Sequence, residues 1–181
     1  MKPVEEKFKR DLVELLPRLR RLGLLLTGDP QVADDLSQAT CERALSRRHQ
    51  WRLESRLDSW VFSIMRSIWK NELRAVSIRQ GRGVVSSEEF PLEAAGHSAE
   101  TAVFMQQVYS KVMALPEGQR VTLLLVYVEG YGYQEAADIL ELPVGTVMSR
   151  LARARLAIAQ QTDFVNAPDL SRSTATKDVK S

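Results

Sequence analysis

The residues best placed to do chemistry stand near the C-terminal end of the chain. Thr146, Ser149, Arg150 and Arg153 recur at i, i+3, i+4 and i+7, one polar face at helical spacing. Arg155 adds a third cation, and no acidic residue occurs between Pro143 and Thr162. Arginines that reach guanine edges and hydroxyls that reach phosphates suit recognition of duplex DNA in a major groove; they do not suit bond making. A merely solvated amphipathic face would have the same composition, and that reading stays open at this point. The elements needed to position the face are those of a helix-turn-helix from Gly132 to Leu151. Ala136 and Ala137 supply the small residues of a close helix pair, and Ile139, Leu140, Val144, Val147 and Leu151 turn apolar sides toward one another. Pro143 stands where the second helix begins, and Gly132 with Glu135 three residues on makes a glycine N-cap and half of a capping box.

Composition bounds the rest of the molecule. At 181 residues, 44% hydrophobic and 27% charged, the chain can build one ordinary domain or, as a better fit, two small ones. The longest apolar runs, around Leu22–Leu26 and Leu123–Val128, fall far short of the roughly 20 residues that span a bilayer, so no membrane span is expected. The alternating charges of Met1–Lys7 are not followed by the apolar core of a signal peptide, which predicts a cytoplasmic protein. Cys41 is the sole cysteine and His49 and His97 the sole histidines, so neither an internal disulfide nor a metal site nor a cofactor is expected. Cys41 reads as a small buried residue. Residues 1–80 carry 16 basic against 11 acidic side chains, residues 81–100 one against four, and residues 101–160 five of each. The N-terminal half is thus the basic half, which favours a phosphate backbone or is simply a solvated basic surface.

The pattern along the chain predicts an all-α protein of two small helical domains: residues 1–79, a flexible linker over 80–99, a second domain over 100–161, and a disordered tail over 162–181. Phe8, Leu12, Leu15, Leu16, Leu19, Leu22 and Leu26 mark an amphipathic segment from Glu5 to Leu26 with a break or restart at Pro17. Asp29 and Pro30 open a second helix to about His49 with Val32, Leu36, Cys41, Ala44 and Leu45 inward. A third, Leu57 to Arg79, buries Trp60, Val61, Ile64, Ile68 and Leu73. Gly81, Gly83, Pro91 and Gly96 break structure in the linker, and helical period resumes at Ala99 and stops at Pro116. Val121–Val128 suits either a strand or a buried helix; a lone strand would have no partner, which favours the helix.

Four motifs in order carry a resemblance: Leu26-Thr27-Gly28-Asp29 leading to Ala33-Asp34-Asp35-Leu36-Ser37-Gln38-Ala39-Thr40; Ser59 to Arg66; Leu115-Pro116-Glu117-Gly118-Gln119-Arg120; and Pro143 to Leu151. Over about Leu15 to Gln160 the chain resembles the small two-domain bacterial sigma factors of the extracytoplasmic-function class. The resemblance implies an alternative sigma factor that binds core RNA polymerase, at its clamp coiled coil and flap, and directs initiation at particular promoters in a stress or envelope response, under an anti-sigma factor. It implies that Asp34, Asp35, Gln38 and Thr40 in the second helix meet the clamp; a carboxylate pair can bind arginines of a partner helix, or simply complement the helix dipole. It also implies that the loop from Trp51 to Asp58 and the following helix open the downstream (−10) element around a flipped base, which needs basic and aromatic side chains together. Arg52, Ser55, Arg56, Arg66, Trp69, Lys70, Asn71 and Arg74 meet that need, with Asn71 the candidate for a direct base contact and Trp69 either packing or a stacking platform. Trp60 is assigned to packing. Thr146, Ser149, Arg150, Arg153 and Arg155 would read the upstream (−35) element as duplex.

Several positions depart from the family pattern. Glu141 stands where the turn often has glycine, so the turn is either strained in the left-handed region or differently shaped. Met148 replaces a frequent basic residue, Ser67 a common asparagine, and Ala39 and Cys41 a carboxylate and an aromatic. A Gly-rich phosphate loop, a metal set and a nucleophile beside a base are all missing, which argues against an enzyme. The remaining alternative is a one-component helix-turn-helix regulator, for which the small basic N-terminal unit is a poor ligand pocket.

Overall fold

The computed structural model describes residues 2–52, 55–80 and 99–160. Among these, regular structure is helical throughout: α1 (Lys2–Glu14), α2 (Leu16–Thr27), α3 (Pro30–Ser46), α4 (Leu57–Gln80), α5 (Ala99–Met113), α6 (Glu117–Leu123), α7 (Tyr133–Leu140) and α8 (Val144–Gln160). A 3₁₀ turn covers Arg48–Gln50, and a π-helical stretch, Leu124–Val128, continues α6. Residues 81–98 of the expected linker and the expected tail lie outside the described residues.

Local sequence explains where the helices begin and end. The restart expected at Pro17 falls at Leu15, which puts Pro17 in the first turn of α2, where a missing N–H costs nothing. Gly28, at φ 74°, closes α2 with its N–H on the Leu24 carbonyl. Asp29 then caps α3 by accepting from the Val32 N–H at 2.9 Å, with Pro30 as first helical residue. Phe8, Leu12, Leu15, Leu19, Leu22 and Leu26 are all buried, each such leucine contributing about 1.5–3 kcal/mol.

Six inward assignments need correction, Leu16 (41% exposed) and Val144 (39%) among them. Val32 and Leu45 are more than a third exposed, because the inner side of α3 runs through Ala33, Leu36, Thr40 and Ala44 and rotates them off it. Leu73 is likewise exposed, on a turn of α4 that carries Asn71 and Arg74 outward, and Cys41 is only half-buried. The Val121–Val128 run is helical, with Val121, Leu124 and Leu125 buried and Tyr127 and Val128 outward. Its widened turn, closed by the Glu129 N–H on Leu124 and the Tyr131 N–H on Leu125, aims Glu129 and Tyr131 back at α2 and α4.

The two halves share one hydrophobic core. Phe62 of α4 meets Tyr131 edge to face, ring centroids 6.0 Å apart, and α2 and α4 pack on α6 and α7.

Candidate nucleic-acid interface

The helix-turn-helix forms where its sequence predicts, except that Val144, expected inward, is exposed. Ala136, Ala137, Ile139, Leu140, Val147 and Leu151 are buried between α7 and α8. The Glu135 carboxylate accepts from the Gly132 N–H at 2.8 Å, the half of a capping box that a glycine allows. Glu141 adopts the left-handed region, φ 49° and ψ 49°, and ends α7 with its N–H on Asp138 and the Leu142 N–H on Ala137. This decides between the two geometries that the sequence allowed. Glu141→Gly should therefore raise the melting temperature, by about 0.5–1 kcal/mol in stability, since relief of left-handed strain exceeds loss of the exposed ion pair with Lys70. A thermal scan showing the variant less stable would locate the cost elsewhere.

On α8 the five predicted residues separate. Arg153 and Arg155 are exposed. Thr146 and Ser149 are half-buried, the Ser149 hydroxyl donating to the Thr146 carbonyl at 3.0 Å. Arg150 is half-buried with its guanidinium laid over Gly118 of α6, where an added Cβ would stand 2.9 Å from Cζ. The outermost side of the helix runs through Gly145, Met148, Ala152 and Arg155, and a shallow groove joins it to Tyr133.

In the N-terminal half, Asp34, Asp35 and Gln38 share the exposed side of α3. Asp34 pairs with Arg20 at 2.7 Å and Gln38 donates to Glu42 at 3.0 Å, both on the surface and so weak. Thr40 is fully buried with its hydroxyl on the Leu36 carbonyl, so it packs α3 and does not reach outward. Arg52, Ser55, Asn71 and Arg74 are exposed. The Trp51 ring, to which the sequence assigns no separate role, rests on Phe8 (centroids 5.6 Å apart) and donates its N–H to the Ser55 carbonyl at 3.3 Å. Trp60 packs on Phe8 as expected, at 6.3 Å.

The other four candidates of this half turn toward the helix-turn-helix half. Arg56 reaches Glu135 at 3.1 Å and lies over the Tyr131 ring, 4.3 Å from its centroid. Arg66 donates to the Leu140 carbonyl at 3.1 Å, Trp69 donates to Glu117 at 3.4 Å, and Lys70 pairs with Glu141 at 3.5 Å. Sequence reasoning missed two further residues that reach between the halves. Arg120 is buried, donating to the carbonyls of Leu25, Leu26 and Met113, and Glu129 is buried between Arg18 and Arg21. The signal for Arg120 was a cation set directly against an apolar run. Burial lowers the pKa of both Arg66 and Arg120, yet guanidinium remains charged at any working pH.

Asp58 joins this cluster, 2.9 Å from Arg56 and 3.0 Å from Arg18. Burial alone would raise its pKa, but Arg56, the neighbouring Tyr131 hydroxyl, which is buried without hydrogen-bond geometry of its own, the Ser59 N–H and Arg18 outweigh it and hold the carboxyl at about 2. A depressed carboxylate stabilises the fold fully above its unfolded pKa of about 3.9 and loses that contribution as pH falls toward the folded value. Asp58→Asn should therefore be less stable at pH 7 and show a flatter acid limb between about pH 4 and 2. Parallel acid-unfolding curves for variant and wild type would remove Asp58 from this role.

Two packed helical halves, one closed by a helix-turn-helix and the other carrying an acidic helix face beside a basic and aromatic one, define an all-α transcription protein that handles DNA. Comparison with known proteins narrows the class. Residues 105–158 match the family Sigma-70, region 4, and residues 12–66 match the family Sigma2 domain of PhyR. The chain is 30% identical over 155 residues to the ECF RNA polymerase sigma factor EcfG of Rhodopseudomonas palustris, covering 84% of this chain and 83% of that protein. It is 31% identical over 165 residues to the RNA polymerase sigma-H factor of Pseudomonas aeruginosa, covering 84% and 86%. The sigma factor RpoE of Bartonella quintana, solved in complex with the anti-sigma factor NepR, superposes with a TM-score of 0.73 at 26% identity, over 86% of this chain and 96% of that one. The chain belongs to the ECF sigma factors, and the one-component regulator reading falls.

Proposed function

We propose that the chain binds core RNA polymerase through the exposed acidic side of α3, opens the downstream promoter element with the loop before α4 and the outer face of α4, and reads the upstream element with α8. The family likeness across both halves supports this, since both sigma regions are matched in order along one chain. Asp34, Asp35 and Gln38 meet the clamp coiled coil, while Thr40 supports the helix from inside. Arg52, Ser55, Arg56, Arg66, Trp69, Lys70, Asn71 and Arg74 take the unstacked strand, and Thr146, Ser149, Arg150, Arg153 and Arg155 take the duplex. The C-terminal half also contacts the polymerase flap. The chain supplies promoter choice and leaves the chemistry of polymerisation to the enzyme it joins. It works in the cytoplasm; no helix among the described residues is long and apolar enough to cross a membrane. An anti-sigma factor holds it inactive, as the solved complex of the Bartonella relative suggests by analogy.

Run-off transcription with purified core polymerase and a genomic promoter library tests the reading. Transcripts that depend on the chain are expected; none, together with no binding to core polymerase, would overturn it.

A further inference from the structure

We propose that Met148 sets base preference in the upstream element: its exposed thioether side chain packs on the C5-methyl group of a thymine in the major groove, between the edge of α8 and Tyr133. This rests on the assignment of α8 to the upstream element under Proposed function, and adds to it a contact that needs no charge.

Three buried residues fix which side of α8 is presented. Val147, Leu151 and Ala154 lie on the core, which leaves Gly145, Met148, Ala152 and Arg155, at i, i+3, i+7 and i+10, facing outward. Met148 is 51% exposed there, and Tyr133, exposed at the start of α7, forms the opposite wall of the shallow groove along this side. An exposed methionine is by itself ordinary; its neighbours give this one a meaning. Arg153 and Arg155 are exposed on the same helix, and no carboxylate occurs from Pro143 to Thr162, so the surface around the thioether attracts a polyanion.

Gly145 supplies a second, independent observation. It sits in the first turn of α8 with ordinary helical backbone, and a Cβ built on it would meet nothing within 4 Å. Neither packing nor backbone conformation needs a glycine there, and glycine costs helix stability relative to alanine. Bare backbone one turn before Met148, with only the Ala152 methyl one turn after it, leaves a low surface on which a base pair can come to van der Waals distance. Thymine is the base that displays a methyl group in the major groove, and a flexible, polarisable thioether matches it where a lysine or arginine would seek a phosphate or a guanine. Where the family pattern has a basic residue, Met148 thereby replaces a charge contact with a base contact.

The test uses holoenzyme assembled from core polymerase and the full chain, with promoter duplexes taken from the chain-dependent transcripts. Each upstream thymine, on either strand, is replaced in turn by deoxyuridine, which removes the methyl and keeps the base pair. Wild type should lose about threefold to fivefold in competition at one thymine, the worth of one buried methyl group. Met148→Ala should bind the unmodified duplex more weakly by at least the same factor and make no distinction between thymine and deoxyuridine at that position. Met148→Lys should likewise be blind to the methyl while its salt slope steepens by about one. Gly145→Ala should melt no lower than wild type yet bind the promoter less tightly, a split that a packing role would not produce.

Wild type indifferent to deoxyuridine at every position, Met148→Ala with the wild-type thymine preference, or an upstream element without an A·T pair would each overturn the proposal, while promoter-dependent transcription keeps the sigma assignment. Gly145→Ala with wild-type affinity would remove the close approach on which the contact depends and overturn it too. The deoxyuridine comparison on wild type needs no variant to fold. If wild type yields no polymerase-dependent transcript, the assignment of function fails and takes the proposal with it.

Discussion

Phe62→Ala is expected to destabilise the protein by about 3–5 kcal/mol, a large share of the 5–15 kcal/mol typical of a folded domain. Phe62 has no exposed surface, meets the Tyr131 ring edge to face, and supports the Arg18 guanidinium 5.2 Å from its centroid. Removing the ring leaves a cavity at the seam between the halves, loses an aromatic pair worth about 0.5–1.5 kcal/mol, and strips the apolar floor from a buried cluster of charges. Phe62→Leu keeps most of the volume and should cost only about 1–2 kcal/mol. Urea denaturation followed by circular dichroism measures both. An alanine variant within 1 kcal/mol of wild type would mean that the seam closes over the gap and that the ring contributes little.

Arg153→Ala is expected to cost about 1–3 kcal/mol of discrimination at one position of the upstream element, a loss of roughly 5- to 150-fold. Arg153 is exposed on α8 and makes no ion pair or hydrogen bond recorded among the described residues, so it is available to a base edge. Arg150, folded over Gly118, would first have to leave α6. The measurement is competition between duplexes that carry the upstream element of the recovered transcripts and duplexes altered one base pair at a time. Relaxed preference at one base pair supports a base contact. Uniform weakening with a salt slope shallower by about one would instead make Arg153 a phosphate contact.

The helices and the family were legible in local runs of residues. Caps and stops such as Asp29-Pro30 and Pro116 act within a turn of the residue that carries them, and the period of Phe8 to Leu26 or Ile139 to Leu151 is a property of one helix. The four motifs are equally local, which is why the sigma assignment is legible in the chain alone. Orientation around each helix was less so. Thr40, Val32, Leu45 and Leu73 were misplaced because two adjacent stripes of a helix can both look apolar or polar until a neighbour selects one.

The contacts between the two halves were not legible in the same way. Nothing in the run Leu115 to Arg120 says that Arg120 caps a helix some 95 residues earlier, or that Glu129, Glu135 and Glu141 each find a cation of the N-terminal half. Those contacts depend on how two helical units dock, a choice made by surface shape and by orphan carbonyls that any helix end carries. The residues of α4 and its preceding loop are legible in the chain, while docking alone sets Arg56, Arg66, Trp69 and Lys70 against the other half.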